Sequence, residues 1–467
     1  MRIRRTMAGL LAVFAVACDN TLTVEPVNEV AAEVAIIDAA TARAAIAGAY
    51  DALQDDANWT YYSGDFNVFS DLSSEDVRHS GTFDTYRSAD RNTLTSANGT
   101  ILDIWEQLYA TINRVNVIIE KLPNVPGLDA DERNDLLGQA HFIRALSYHN
   151  LVKLWGGNGL GVPLRLTTPG SLGEAAGIAR ATEDETYAQI LEDLDQAINL
   201  IQTDDDPGVA TIGAAWALRS RVLLFMENWA GVIEAADEVE AMGYELAPDF
   251  SDLFAVEGGT AEDIFKLTYE PAEPHGLGWY YRAKGGFGGR YELAPTCALA
   301  NAFDASVNCS VTNFMTGWSP GDERADFSIK VTGSLEPFAN KYITGDGDDD
   351  LHAIRFAEVI LNRAEAYARL GQLAAAVTDL NRTRVRAGLP ALVLGVTVAN
   401  TMQAVLDAIW QERRLELAFE GFRWPDLVRT GRAIAALGLA GKEHQVLYPI
   451  PQEELDVAPN IEQNPGY

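Results

Sequence analysis

Arg355-Phe356-Ala357-Glu358-Val359-Ile360-Leu361-Asn362-Arg363-Ala364-Glu365-Ala366, running on to Asp379-Leu380-Asn381-Arg382-Thr383-Arg384, is the stretch that decides the fold. Its segment Arg363 to Asp379 can be laid on an earlier one, Arg221 to Asp237, matching Phe225 with Tyr367, Gly231 with Leu373 and Ala235 with Val377. Each segment reads as a helix, a short break and a second helix with small residues on the packing face. Small residues let paired helices approach closely, and stacked hairpins bury a continuous core between neighbours. The pattern predicts a mostly α chain on a tetratricopeptide-like scaffold of helical hairpins.

Working outward, Ile104 to Leu122 is helical, Pro123 to Gly127 is a turn, and Asp131 to Trp155 is helical again, with a cap near Asp131. Asp184 to Ile201 is amphipathic, with Ile190, Leu194, Ala197 and Ile201 recurring at helical spacing. From about Pro248 to Gly347 the texture changes. Glycines, prolines, aromatics and β-prone runs such as Ile264-Phe265-Lys266-Leu267-Thr268-Tyr269 replace the helical period. This predicts an irregular, loop-rich subdomain over residues 248–347, between helical regions at 18–247 and 348–467. Asn58 to Arg91 reads as a second loop-rich, aromatic stretch.

The N-terminus carries an address. Arg2, Arg4 and Arg5 precede an apolar run from Met7 to Ala17 that ends in small residues, the shape of a secretory signal over residues 1–17. Cleavage there exposes Cys18, the position a bacterial lipoprotein acylates. An ordinary secreted protein with an unmodified cysteine is the alternative. The other two cysteines, Cys297 and Cys309, form a disulfide in an oxidising compartment or stay as two thiols; their spacing fits no zinc pattern. Lys and Arg number 35 against 67 Asp and Glu, a net charge of −32. That balance argues against nucleic acid and against a polybasic grip on anionic lipid, both of which need clustered cations.

Little here promises covalent chemistry. Glu416 and Glu420 sit one helical turn apart, as paired carboxylates do in glycoside hydrolases. Glu412, Arg413, Arg414 and Arg423 accompany them, however, and threaded guanidinium groups make an ion-pair network the better reading, with carboxyl pKa values lowered away from those of a general acid. The run Asp346-Gly347-Asp348-Asp349-Asp350 fails as an EF-hand, which needs Gly at its sixth position and Glu at its twelfth, where Leu351 and Ala357 stand. A solvated acidic turn is expected instead. Phosphate-cradling, zinc-helix and nucleophile-elbow motifs are absent, and the histidines, His141 and His149 included, are scattered. No metal or cofactor is expected.

What remains is aromatic. Trp279-Tyr280-Tyr281-Arg282 stands beside the glycine cluster Gly285-Gly286-Phe287-Gly288-Gly289, and Trp59, Tyr61, Tyr62, Phe66 and Phe69 gather near Asp65 and Asn67. Loop aromatics beside amides and carboxylates stack on sugar rings while their neighbours bind hydroxyls. The candidate ligand residues are therefore Trp279, Tyr280, Tyr281, Arg282, Trp59, Tyr62, Asp65 and Asn67. The competing reading has these rings plugging the subdomain against the helices.

Further blocks lie downstream of the opening stretch: Glu412 to Gly421, Arg423, Asp426-Leu427-Val428-Arg429, Tyr448-Pro449-Ile450-Pro451 and Gln463-Asn464-Pro465-Gly466-Tyr467. With Trp155-Gly156-Gly157, Gly161-Val162-Pro163-Leu164 and Arg180-Ala181-Thr182 upstream, the order resembles the RagB/SusD family of nutrient-binding outer-membrane lipoproteins. The resemblance implies a non-enzymatic surface protein. It would be lipid-anchored in the outer membrane, capture an oligosaccharide or similar nutrient, and deliver it to a SusC-like TonB-dependent transporter. Two rivals belong to other classes: an envelope tetratricopeptide scaffold for peptides or proteins, and a secreted hydrolase built on Glu416 and Glu420.

Overall fold

The computed structural model describes residues 36–467 apart from 56, 170–173, 175, 204–205, 256–258, 306–307, 311–312, 317–320 and 333–335. The expected signal segment and Cys18 fall outside the described residues. Nine long helices carry the architecture: α1 (Ala39–Gln54), α2 (Gly99–Lys121), α3 (Ala130–Trp155), α4 (Glu183–Leu200), α5 (Ile212–Phe225), α6 (Trp229–Ala241), α7 (Phe356–Arg369), α8 (Leu373–Arg386) and α9 (Met402–Glu416). Each packs on the next in sequence, from α1 on α2 through to α8 on α9. The pair α6–α7 does so across the intervening 114 or so residues of irregular chain.

Side-chain caps set the helix starts. Thr182 accepts the Glu185 N–H at 3.1 Å while the Glu185 carboxylate accepts the Thr182 N–H at 2.8 Å, a closed capping box for α4. α3 is capped by Asp129, two residues before the expected position, because that carboxylate takes the Glu132 N–H. α2 begins at Gly99 rather than Ile104, since Asn98 caps the N–H groups of Thr100 and Ile101. The hairpins α5–α6 and α7–α8 turn at 226–228 and 370–372, two residues out of the register in which the two segments were laid, so the hairpin repeat holds and its exact alignment shifts.

The Asn58 to Arg91 stretch is less loop-like than its composition suggests. It contains the helices Asp65–Leu72 and Asp84–Asp90. In the first, Phe66, Phe69 and Leu72 recur at three-residue spacing and are buried, which supplies a helical driving force that the polar flanks conceal. Asp263–Leu267 is the β-strand its sequence predicts and pairs antiparallel with Leu351–Arg355; Val77–His79 pairs with Leu293–Pro295. Every sheet among the described residues has two strands. No helix among them is long and apolar enough to cross a membrane.

One hydrophobic core takes in Trp105 and Leu146 from the helices together with Ile264, Phe265, Tyr281, Leu293 and Tyr342 from the irregular region. A smaller cluster around Ala364, Leu380, Val405 and Ile409 joins α7, α8 and α9. The last residues return to the end of α3. The Asn464 side chain donates to the carbonyls of Trp155 (3.0 Å) and Tyr448 (2.7 Å). Trp155 Nε1 donates to Pro449 O at 2.9 Å, and Arg180 bonds Asn464 Oδ1 at 2.9 Å.

Candidate functional site

Three segments far apart in sequence converge at one surface. The first is the turn Asp55 to Gly64. The Asp55 carboxylate accepts the Thr60 and Tyr61 N–H groups at 3.0 and 3.3 Å, and Asp65 N–H closes on Trp59 O at 2.8 Å. Within this turn Trp59 adopts φ 56°, a left-handed conformation that costs a residue with a Cβ about 1–2 kcal/mol. Such strain persists only where the surroundings over-determine it. Here the Trp59 indole N–H donates to Pro274 O at 2.8 Å, and Ser63 O accepts the Gly276 N–H at 2.8 Å. Gly276 has to be glycine: a Cβ there would lie 2.6 Å from the Trp59 ring and 2.9 Å from that of Tyr280.

The second segment is a one-turn helix, Leu277–Tyr281, followed by a hairpin in which Arg290 N–H donates to Trp279 O (2.7 Å) and Glu292 N–H to Tyr280 O (2.9 Å). The third is the loop at Thr82 and Phe83, whose N–H groups donate to the buried Glu292 carboxylate at 2.8 and 3.4 Å. Trp59 and Trp279 meet at 5.7 Å between centroids, tilted by 54°, and both rest edge-on against Tyr280. The Arg290 guanidinium lies 4.4 Å over the Phe83 ring and 5.0 Å from the Trp279 ring. Trp59, Trp279, Phe83 and Arg290 are all half-exposed, whereas the supporting Tyr86 and Tyr280 are buried. Below them burial pushes the Asp65 carboxyl up to about 7, against the hydrogen bond it accepts from Tyr86.

The eight residues expected from sequence therefore divide. Trp59 and Trp279 share the platform, with Tyr280 and Asp65 beneath it. Tyr62, Asn67 and Tyr281 are interior. The Tyr62 hydroxyl accepts from Asn150 at 3.0 Å, Asn67 donates to Tyr62 O at 3.1 Å, and Tyr281 donates to Asp71 at 2.5 Å while stacking on Tyr342. These three plug the core, because their polar tips find buried partners. Arg282 is a clamp: its guanidinium takes the carbonyls of Phe287 (2.7 Å), Ile343 (2.7 Å) and Tyr342 (3.1 Å). Phe83 and Arg290 were not foreseen. Their only signal in sequence was proximity to glycine, Gly81 before Phe83 and Gly289 before Arg290.

Glu416 and Glu420 lie in a buried charge network. Arg355 donates to Glu416 at 2.6 Å, Glu262 at 2.9 Å and Glu420 at 3.0 Å. Arg386 and Arg324 also hold Glu416, and Lys341 holds Glu420 at 2.5 Å. Burial alone would raise these carboxyls, but the cations outweigh it: Glu416 is held well below the usual range and Glu420 at about 2. The helix ends at Glu416, so Glu420 stands in the turn after it rather than on the same helix. Neither residue suits a general acid. The Asp346–Asp350 turn is only partly solvated, since Asp349 bonds Thr344 and the Ile343 N–H and Asp350 pairs with Lys266 at 2.6 Å. Among the described residues no group of three His, Cys, Asp or Glu could hold a metal ion. A disulfide joins Cys297 and Cys309, with Cα atoms 5.5 Å apart.

A stacked-hairpin scaffold carrying an aromatic surface, with its buried carboxylates locked in ion pairs, is the build of a binding protein. The chain belongs to the SusD/RagB family. A model described as "Starch-binding associating with outer membrane" matches residues 22–224, and the SusD family model matches residues 336–445. SusD-like protein P38 of Formosa agariphila is 26% identical, with 96% of each chain aligned. SusD-like protein P2 of the same organism is 26% identical over 97% of each. A laminarin-binding SusD-like protein superposes with a TM-score of 0.78 at 25% identity, covering 92% of this chain and 100% of that one. A SusD superfamily protein of Bacteroides vulgatus gives 0.78 at 24% identity over 92% and 99%.

Proposed function

We propose that this protein captures an oligosaccharide on the Trp59–Trp279 platform and passes it to a SusC-like TonB-dependent transporter, while tethered to the outer membrane by lipid on Cys18. The observation that carries the reading is the pair of half-exposed indoles, held 5.7 Å apart by a strained turn and a glycine that leaves room for nothing larger. Sugar rings present apolar C–H faces that stack on such surfaces, and their hydroxyls need polar neighbours, here Arg290, Thr82 and the residues of the glycine-rich hairpin. The laminarin-binding relative and the starch-binding description of the matching model lend the ligand class. Capture involves no covalent step. The ion-paired state of Glu416 and Glu420 supports that part of the reading.

The test is calorimetric titration of wild type, Trp279→Ala and Trp59→Ala with a panel of oligosaccharides, beside thermal melts. Each indole contributes about 1 kcal/mol of stacking beyond area burial. Loss of either should thus weaken binding roughly five- to thirtyfold once its buried area is counted, with Trp279→Ala leaving the melt nearly unmoved. Unchanged affinity with a lowered melting temperature would make these rings structural plugs. Co-purification of a β-barrel transporter tests delivery separately; recovery of peptides or periplasmic proteins in its place would favour a peptide-binding scaffold.

A further inference from the structure

We infer that the glycan taken at this platform is anionic, carrying carboxylate or sulfate groups that Arg290 reads. The inference rests on the oligosaccharide reading above and adds the ligand's charge. In a chain of net charge −32, a guanidinium set among exposed rings is the one strongly cationic group of the platform, and it binds an oxyanion more strongly than a hydroxyl. Arg290 lies against two aromatic faces, which fixes its plane, and its side chain is 37% exposed.

The bonds that hold Arg290 leave one edge open. Nε pairs with Glu292 at 2.6 Å and Nη2 donates to Thr82 Oγ1 at 2.8 Å, while Nη1 donates to none of the described residues. Glu292 pairs with the Nε side of Arg290, so the two together are close to neutral, and what a ligand oxyanion meets is the donor edge left unbonded. The buried Glu292 carboxylate is shared among the Thr82 and Phe83 N–H groups and His79, 3.4 Å away, as well as Arg290. Two other nearby acids have partners of their own. Asp84 pairs with Arg87 at 2.8 Å, and Asp65 is bound by Tyr86 beneath the platform. On the same hairpin Lys284 is exposed and forms no ion pair among the described residues. A guanidinium fork with a free edge matches two oxygens of a planar carboxylate or of a sulfate, whereas a lone hydroxyl engages it weakly.

The experiment compares glycans that differ only in charge. Oligogalacturonate is set against its methyl-esterified form, and sulfated laminarin against laminarin, within a wider array of paired neutral and acidic oligosaccharides. The wild-type protein should bind members of the acidic half, with affinity falling several-fold between 20 and 300 mM NaCl. Arg290→Gln should lose about tenfold on an acidic ligand and distinctly less on its neutral twin, which forfeits only a hydroxyl contact, and Arg290→Lys should fall between. The Arg290→Gln melt drops because the buried Glu292 loses its cation, so affinities are compared at a temperature where each variant is folded. Carboxylated and sulfated arms tell the two oxyanions apart. Equal affinity for neutral and charged twins, or an equal loss on both in Arg290→Gln, would overturn the inference and leave the oligosaccharide reading standing. Failure of every glycan to bind would overturn both.

Discussion

Replacing Arg355 by methionine should be among the most destabilising single changes in this chain, and its cost can be worked out from the contacts. Arg355 is 1% exposed and bonds the side chains of Glu262, Glu416 and Glu420 and the Glu416 carbonyl. Methionine fills much of the same volume and supplies no donor. Breaking a buried ion pair by removing one partner typically costs about 3–5 kcal/mol, because the stranded charge keeps its desolvation penalty. Arg386 and Arg324 still hold Glu416, and Lys341 still holds Glu420, so the loss should fall near the lower end of that range. With an unfolding entropy of about 2.1 cal/mol/K per residue over roughly 400 ordered residues, the melting temperature should drop by about 4 °C. The assay is scanning calorimetry at pH 7 of wild type, Arg355→Met and Arg43→Ala. Arg43 pairs with Glu132 at the surface, where its side chain is 56% exposed, and its removal should shift the melt by less than about 1 °C. An Arg355→Met melt within a degree of wild type, or an equal cost at Arg43, would refute the claim that these carboxylates are a structural network.

Stability should peak at mildly acidic pH. Glu420, held against burial at about 2 by Arg355 and Lys341, and Asp426, held against burial at about 2 by Arg413 and Arg429, give stability that is complete above their unfolded pKa near 4 and lost as pH falls through 2. Burial pushes Asp71 up to about 7, so the folded state keeps a proton that the unfolded chain releases, and stability declines as pH rises from 4 to 7. Asp65, pushed equally high, adds to the same decline. Melts from pH 2 to 9 should show both limbs, and Asp71→Asn should make the upper one shallower while Asp65 keeps the rest; an unchanged upper limb would move its origin elsewhere. Non-reducing peptide mapping of protein from the cell envelope should recover Cys297 joined to Cys309, and free thiols at both would contradict that bond. Cys18→Ser should shift the protein from the membrane to the soluble fraction, and a variant that still pellets with membranes would place the anchor elsewhere.

The helices were legible because their signals are local. Thr182 with Glu185 is a capping box three residues long, and the Arg221 and Arg363 segments repeat within a single hairpin. The ion-paired character of Glu416 and Glu420 was legible from the arginines near them in sequence, but their partners were not: Arg413, Arg414 and Arg423 bond Asp426, Asp76 and Glu75, while Arg355 and Arg324 reach Glu416 from 61 and 92 residues away. The platform was half legible. Composition marks loops rich in rings, but which ring faces water depends on what packs behind it. Trp279 and Tyr281 are two residues apart, and only the second points at Asp71 in the core. Arg290 and Phe83 escaped notice because Glu292, across more than 200 residues, brings them together.

The return of the last residues to α3 bears on the order in which the molecule can be completed. A chain is made from its N-terminus, so α2, α3 and α4 are available to pair while most of the sequence is still to come. The end of α3 is different. Its closing partners are the Pro449 carbonyl and Asn464, the latter 309 residues downstream of Trp155, and Arg180 waits for the same asparagine. Until residues 449 to 464 arrive, the Trp155 indole lacks its acceptor and Arg180, already able to reach Gly161 O and Trp155 O, lacks the partners of its Nη1 group. Contacts of such long sequence separation form late, since the intervening loop must be closed before they repay its entropy. A chain released a few residues short would keep nearly all of its helices and lack the latch that commits them to one arrangement.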